Sequence, residues 1–77
     1  MLTWRLGEVM ARYRIKGTDL AQFMGISDNA LSHYKRARSM PQINGERLNA
    51  LLNGLNQLKS EPEPEITVTD LIDYKPD

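Results

Sequence analysis

The chain has 77 residues, with ten Lys or Arg, ten Asp or Glu, one His and no Cys, so its formal net charge is zero. This length predicts one small domain, whose core is marginal unless it is well packed or shared with a partner. The lack of Cys excludes disulfides and thiolate zinc sites, and a single His cannot form a metal cluster or a catalytic triad alone. Apolar runs of only a few residues argue against a signal peptide or a membrane span, which favours a soluble cytoplasmic protein.

The zero net charge conceals a division along the chain. Residues 1–59 carry nine Lys or Arg against four Asp or Glu, whereas residues 60–77 carry six acidic side chains and one Lys. Residues 60–65 are acidic and spaced by proline, which predicts an extended linker. We therefore expect a basic domain over 1–59, a linker over 60–65, and an acidic C-terminal segment over 66–77 that packs on the same domain. The acidic side chains could equally serve only to keep this segment soluble.

The first predicted helix begins after Thr3, a plausible N-cap, and runs to about Tyr13 or Arg14. Trp4 lies one turn upstream of an apolar stripe and is expected to cover the core that the stripe forms. The stripe has helical spacing and consists of Leu6, Val9, Met10 and Tyr13.

A second, shorter helix is expected from Thr18, its predicted N-cap, to Met24. Leu20, Ala21 and Met24 form its apolar edge. Gly25 should end it, because glycine adopts the left-handed conformation that a sharp helix C-terminus needs.

A third helix follows at once. Ile26 is expected to anchor the turn, and Ser27 is a good N-cap for a helix that runs from Asp28 to about Arg36. Ala30, Leu31 and Tyr34 should face inward, which leaves a polar outer face. Two helices joined by a three-residue turn, the second with an exposed polar face, are typical of a helix-turn-helix that reads DNA.

The motif residues resemble those of the Cro/phage-repressor (Xre-type) helix-turn-helix family of small prokaryotic DNA-binding regulators. The similarity extends from Trp4 to about Asp73 and includes the basic stretch from Tyr34 to Pro41. It implies an all-α fold, a compact four- to five-helix domain of lambda-repressor-like type with the helix-turn-helix at about residues 18–36. The family usually places a phosphate-binding Gln at about position 17, where this chain has Gly17. The residues that carry the resemblance are Leu20, Ala21, Gly25, Ile26, Ser27, Leu31 and Tyr34.

The outer face of the third helix predicts contacts with base edges in the major groove. Asn29 can bond an adenine bidentately, and Ser32 or His33 can donate or accept there. Arg36 could reach a guanine or a phosphate. Asp28 could accept from cytosine or simply help to cap the helix. Each of these side chains, taken alone, could equally be an ordinary solvated polar residue.

Other residues are predicted to contact phosphates, which position a protein without reading the sequence. Three of them lie at the start of the second helix, where backbone N–H groups can hold a phosphate. A solvated run of charge is the alternative for the basic residues. The predicted phosphate contacts are Lys16, Gly17, Thr18, Ser27, Lys35 and Arg38.

A fourth helix is expected from Asn44, its predicted N-cap, to about Lys59, although Gly54 and several Asn lower its helix propensity. Five leucines recur in it at helical spacing, and they either close the core of the monomer or contribute a dimer face. These leucines are Leu48, Leu51, Leu52, Leu55 and Leu58.

The C-terminal residues have two interpretations. Thr67 and Asp70 predict the capped start of a short fifth helix through Tyr74, with Leu71 and Ile72 packing back. Alternatively, the alternation over residues 66–69 indicates a strand that could pair across a dimer. We prefer the helix, because an acidic residue in its first turn complements the helix dipole.

These patterns predict a sequence-specific transcriptional regulator, most simply a repressor, that inserts the third helix into the major groove of double-stranded DNA. It would be cytoplasmic, associated with the nucleoid, and homodimeric, because one such domain makes few contacts. The alternatives are an antitoxin-like regulator whose acidic tail binds a protein partner, and a protein-interaction module that does not bind DNA. We expect no enzyme activity, cofactor, metal or membrane partner, since the sequence offers no recognisable nucleophile–base pair, paired carboxylates or phosphate loop.

Overall fold

The computed structural model of the chain describes residues 1–60 and 63–77. Most of these residues are helical, as the sequence indicates, but two short strands pair into an antiparallel sheet that an all-α class does not include. No helix in these ranges is both long and apolar enough to cross a membrane. The elements, in order, are β1 (Leu2–Trp4), α1 (Leu6–Arg12), α2 (Gly17–Met24), α3 (Asp28–Arg36), α4 (Gly45–Leu58), α5 (Val68–Leu71) and β2 (Ile72–Tyr74).

The core lies among the helices and is closed by residues from β1 and from the C-terminal segment. α2 is central to it, because it packs against both α3 and α4. The expectation that Trp4 covers the core is confirmed, since only 3% of its surface is exposed. The buried residues are Trp4, Leu6, Val9, Met10, Tyr13, Ile15, Leu20, Ala21, Leu31, Tyr34, Leu51, Leu55, Ile66 and Leu71.

The turn between α2 and α3 is the one that the sequence predicts. Gly25 ends α2 in the left-handed conformation, with φ at 71°. Ile26 is half-buried against the core. The Ser27 hydroxyl accepts a hydrogen bond from the backbone N–H of Ala30 at 3.0 Å and so caps α3.

The start of α2 differs from the prediction. Lys16 is the N-cap and the helix begins at Gly17, so the prediction of Thr18 as the cap is wrong. The carbonyl of Lys16 already accepts from the N–H of Leu20 at 3.1 Å, which places Thr18 inside the first turn.

The N-terminal residues also differ, because they form a strand. The prediction that Thr3 caps the first helix is wrong, whereas its predicted end at about Tyr13 or Arg14 is close, because α1 ends at Arg12 with Tyr13 as its C-cap. Thr3 pairs with Asp73 in the sheet, and α1 begins only after Arg5. At the other end, Arg14 has φ at 56°, a left-handed conformation that turns the chain out of the helix.

α4 has the predicted cap and packs mainly inward. The Asn44 side chain accepts from the N–H of Arg47 at 2.8 Å. Leu51 and Leu55 are fully buried, and the other three leucines of the stripe are half-buried against the same core. The stripe therefore closes the core of the chain, while a dimer face on it stays a prediction.

The C-terminal segment is part helix and part strand. The Asp70 carboxylate accepts from the N–H of Thr67 at 2.9 Å, which confirms the predicted cap of α5. The helix ends at Leu71, so its predicted extension through Tyr74 is wrong; Ile72–Tyr74 forms β2 and pairs with β1. The strand alternative for residues 66–69 is also wrong, because Val68–Leu71 is helical. Part of the predicted linker, Glu61 and Pro62, lies outside the described residues.

Asn56 attaches this segment to α4. Its Nδ2 donates to the carbonyl of Ile66 at 2.9 Å, and its Oδ1 accepts from the N–H of Ile66 at 2.8 Å. The same Nδ2 also donates to the carbonyl of Leu52 at 3.0 Å. The carboxamide thus satisfies both backbone groups of a residue that is only 2% exposed.

Candidate nucleic-acid interface

α3 presents two parallel stripes of polar side chains. Residues 29, 33 and 36 follow the i, i+4, i+7 spacing, and residues 28, 32 and 35 follow it one position earlier. All six side chains are exposed, and none takes part in a side-chain hydrogen bond or an ion pair within the described parts of the chain. The helix therefore has unengaged donors and acceptors along its outer face. The first stripe is Asn29, His33 and Arg36, and the second is Asp28, Ser32 and Lys35.

The opposite face of α3 fixes its orientation. Leu31 and Tyr34 are buried in the core, and Ala30 is half-buried. The Tyr34 hydroxyl accepts from Nη1 of Arg47, on α4, at 3.1 Å. Because these contacts hold the inner face, the two polar stripes are held toward solvent.

The N-terminus of α2 and the second stripe of α3 enclose a groove of about 380 Å³, which we call the α2–α3 groove. It brings Lys16, Gly17 and Thr18, three of the predicted phosphate contacts, together with a fourth, Lys35. Two ammonium groups and the first turn of α2 favour an anion there. Asp28 also lines the groove and opposes one.

Space does not require a glycine at position 17. A Cβ at Gly17 would lie 3.4 Å from Cδ2 of Leu31 and 3.8 Å from Cε of Met10, which are ordinary packing distances. The backbone there is not left-handed either, since Gly25 has the one positive φ among the described glycines. A Cβ at this position would therefore fit.

The C-terminal end of α3 is held by the N-terminal strand. The last carbonyls of a helix have no partner within it. Trp4 supplies one, because its indole Nε1 donates to the carbonyl of Tyr34 at 2.9 Å. The backbone N–H of Trp4 also donates to the carbonyl of Arg38 at 2.8 Å. Gly7 lies so close that a Cβ would come within 3.0 Å of the carbonyl oxygen of Lys35.

This contact creates a second groove, of about 720 Å³, which we call the α1–α3 groove. Four cationic side chains and one carboxylate, that of Glu8, line it. Lys35 belongs to both grooves, so the two adjoin along one side of α3. The cationic residues of the second groove are Arg5, Lys35, Arg36 and Arg38.

The predicted phosphate contacts thus fall into separate places. Lys16, Gly17, Thr18 and Lys35 meet in the first groove, whereas Arg38 lies in the second. Ser27 lines neither groove, and its hydroxyl oxygen already caps α3.

Arg5 is a residue that the sequence reasoning missed. It lies outside every helical stripe, and it reaches Lys35 and Arg38 only because β1 packs on the end of α3. Trp4 was expected only to cover the core, and no sequence periodicity indicates that its N–H binds a helix end.

No family model, curated protein or solved structure matches the chain. The functional assignment therefore depends on the chemistry of α3 and its two grooves. Within residues 1–60 and 63–77, no three His, Cys, Asp or Glu side chains are grouped closely enough to hold a metal ion.

Proposed function

We propose that the protein is a DNA-binding transcriptional regulator of the lambda-repressor-like type, which inserts α3 into the major groove of double-stranded DNA and represses by occupying a promoter. The observation that carries this proposal is the pair of exposed, unengaged polar stripes on α3, flanked by two adjoining grooves rich in cations. A helix fits the major groove, where donors and acceptors distinguish the four base pairs.

The side chains of α3 divide by chemistry. Asn29 suits an adenine edge and Arg36 a guanine edge, while Ser32 and His33 can each donate a hydrogen bond to a base edge or accept one from it. Asp28 is unsuited to a phosphate, so it either accepts from a cytosine amino group or complements the dipole at the start of α3. These residues supply base recognition in the proposal.

Phosphate binding is assigned to the grooves. Lys16, Thr18 and the first N–H groups of α2 would hold a phosphate in the α2–α3 groove, where Lys35 adds a second cation. Arg38 would hold another at the end of α3. Such contacts fix the position of a reading helix on the duplex.

We further propose that two copies bind one operator. α3 has nine residues and reaches few base pairs, so a single copy would discriminate weakly. A homodimer would read two half-sites about 34 Å apart, one turn of the duplex.

One observation favours a second candidate, a protein-interaction module without DNA binding. The Asp28 carboxylate lies in the groove that would have to hold a phosphate, and Gly17 offers no side chain there. By contrast, an antitoxin-like role for the acidic tail has less support, because Asp70, Asp73 and Asp77 each have a partner within the chain.

Titration of a fluorescent duplex of random sequence, followed by anisotropy at several salt concentrations, tests the proposal. Contacts with the two phosphates assigned above would reduce affinity about 12-fold between about 50 and about 200 mM salt, since each contributes about 0.9 to the logarithmic slope. Binding that is absent, or that salt does not change, would refute the proposal and favour the interaction module.

Matched variants locate the surface. Arg36→Ala should weaken binding, whereas Arg12→Ala removes the same charge from α1 beside Ser60 and Glu63, away from α3, and should have little effect. Equal losses in the two variants would mean that the affinity reflects overall charge, not contacts at α3.

A further inference from the structure

Arg5 lines the α1–α3 groove and also contacts Asp73, the one acidic residue of β2. Its Nη2 is 2.9 Å from Oδ2 of Asp73, and its Nε is 4.0 Å from Oε2 of Glu8. The side chain is nevertheless 44% exposed, and that of Asp73 is 37% exposed. The guanidinium is therefore paired closely with Asp73 and more loosely with Glu8, while still accessible to a ligand in the groove.

Strand pairing fixes Asp73 in this place. Asp73 is opposite Thr3 in the sheet, and the N–H of Arg5 donates to the carbonyl of Leu71 at 2.7 Å, which continues the pairing. Backbone hydrogen bonds, which involve neither side chain, thus place the Asp73 carboxylate beside Arg5. Replacement of Asp73 by Asn removes the negative charge and leaves those backbone bonds intact.

The two grooves share Lys35 and together bring five cationic side chains and two carboxylates, those of Asp28 and Glu8, to one side of α3; we call this surface the α3 track. It runs from Lys16 at the start of α2, through Lys35, to Arg5 and Arg38. α3 has nine residues and is therefore about 13 Å long. Each strand of a duplex carries one phosphate per about 3.4 Å of duplex axis and winds around that axis, so a strand that passes along α3 presents more than one phosphate to the track.

We propose that Arg5 is a further contact for a phosphate of duplex DNA in the α1–α3 groove, and that Asp73 is an internal competitor for its guanidinium. This inference rests on the proposed DNA binding. A phosphate accepts from a guanidinium with the same two-pronged geometry as a carboxylate does, so a DNA phosphate can take the place of Asp73. Asp73 on β2 then lowers the affinity of the basic domain for DNA through this one contact.

Replacement of Asp73 tests the competition. Asp73→Asn should bind a duplex of random sequence about twofold to fivefold more tightly than Asp77→Asn, which is the size expected for a partly exposed pair. The control makes the same change of charge, but Asp77 pairs with the N-terminal ammonium at 3.3 Å and not with Arg5. In an Arg5→Gln background the difference between the two substitutions should disappear.

The salt dependence tests the contact without a substitution in β2. Arg5→Gln should reduce the logarithmic salt slope by about 0.9, the value for one phosphate, whereas Arg14→Gln, beside Ser60 and Glu63, should leave it unchanged. Circular dichroism at the assay temperature confirms that each variant is folded.

The outcomes separate the two proposals. Salt-sensitive binding by the unaltered chain, together with equal affinities for Asp73→Asn and Asp77→Asn, would overturn the competition and leave DNA binding standing. Equal slopes for Arg5→Gln and Arg14→Gln would remove Arg5 from the interface. If the unaltered chain does not bind the duplex, both proposals are wrong.

Discussion

Asn56→Ala should release the C-terminal segment from α4 and destabilise the fold. The carboxamide holds both backbone groups of Ile66, at 2.8 and 2.9 Å, and alanine can replace neither bond. The residues that follow lead to Leu71, which is fully buried in the core. We therefore expect a loss of global stability, not only local fraying.

The magnitude follows from the bonds that are lost. Each hydrogen bond contributes about 0.5–1.5 kcal/mol net, so the two to Ile66 contribute about 1–3 kcal/mol. Alanine recovers up to about 0.7 kcal/mol of helix propensity, because it is a better helix former than asparagine. Asn53→Ala makes the same exchange in the same helix at an exposed position, so it includes the propensity gain and not the lost bonds. The two variants should differ by about 1–3 kcal/mol.

Urea unfolding, followed by the fluorescence of the single, buried Trp4, measures this difference. In thermal unfolding each kcal/mol should correspond to about 4–8 °C for a chain of this size. Hydrogen exchange of the Ile66 amide adds a local check, since that N–H should lose protection only in Asn56→Ala. Equal stability of the two variants would refute the expectation that the Asn56 hydrogen bonds stabilise the fold.

Three further substitutions test the remaining contacts. Gly17→Gln should bind a random duplex about twofold to tenfold more tightly, because it adds one hydrogen bond to a phosphate. Gly17→Glu should bind more weakly. Equal affinities of the two variants, measured by anisotropy, would place position 17 away from DNA. Trp4→Phe should lower the free energy of unfolding by about 1–3 kcal/mol, because the Tyr34 carbonyl loses its donor. Urea unfolding followed by circular dichroism measures this, and an unchanged transition would contradict it. Gly54→Ala should be destabilising by about 1–2 kcal/mol in the same assay, because the new Cβ would lie 2.6 Å from Cδ1 of the buried Leu20. A gain in stability would mean that helix propensity outweighs this overlap.

The features that the sequence predicts correctly depend on neighbouring residues. Gly25 ends α2, and Ser27 and Asn44 cap α3 and α4, because each acts on backbone groups within about one helical turn. The exposed face of α3 is likewise predictable, since Leu31 and Tyr34 fix which side is buried. Most of the candidate reading residues could therefore be located before the structure.

The features that the sequence does not predict depend on partners that are far away along the chain. Thr3 has the chemistry of a helix cap, but its pairing with Asp73 determines its conformation instead. Strands of three residues show no usable alternation, so neither β1 nor β2 is visible in the pattern. Arg5 enters the candidate site for the same reason, because only the sheet and its contact with the end of α3 bring it there.

The pairing of β1 with β2 also bears on the order of folding. These strands lie near opposite ends of the described chain, so they can meet only after the helices between them have brought the ends together. Contacts among the helices span shorter stretches of sequence and should form first. A circular permutant with a short Gly-Ser link from residue 77 to residue 1, and new ends between Pro41 and Gln42, would turn the sheet into a local hairpin. Because the N-terminal nitrogen is 3.3 Å from the Asp77 carboxylate, such a link need not strain the fold, and the permutant should fold faster than the natural order.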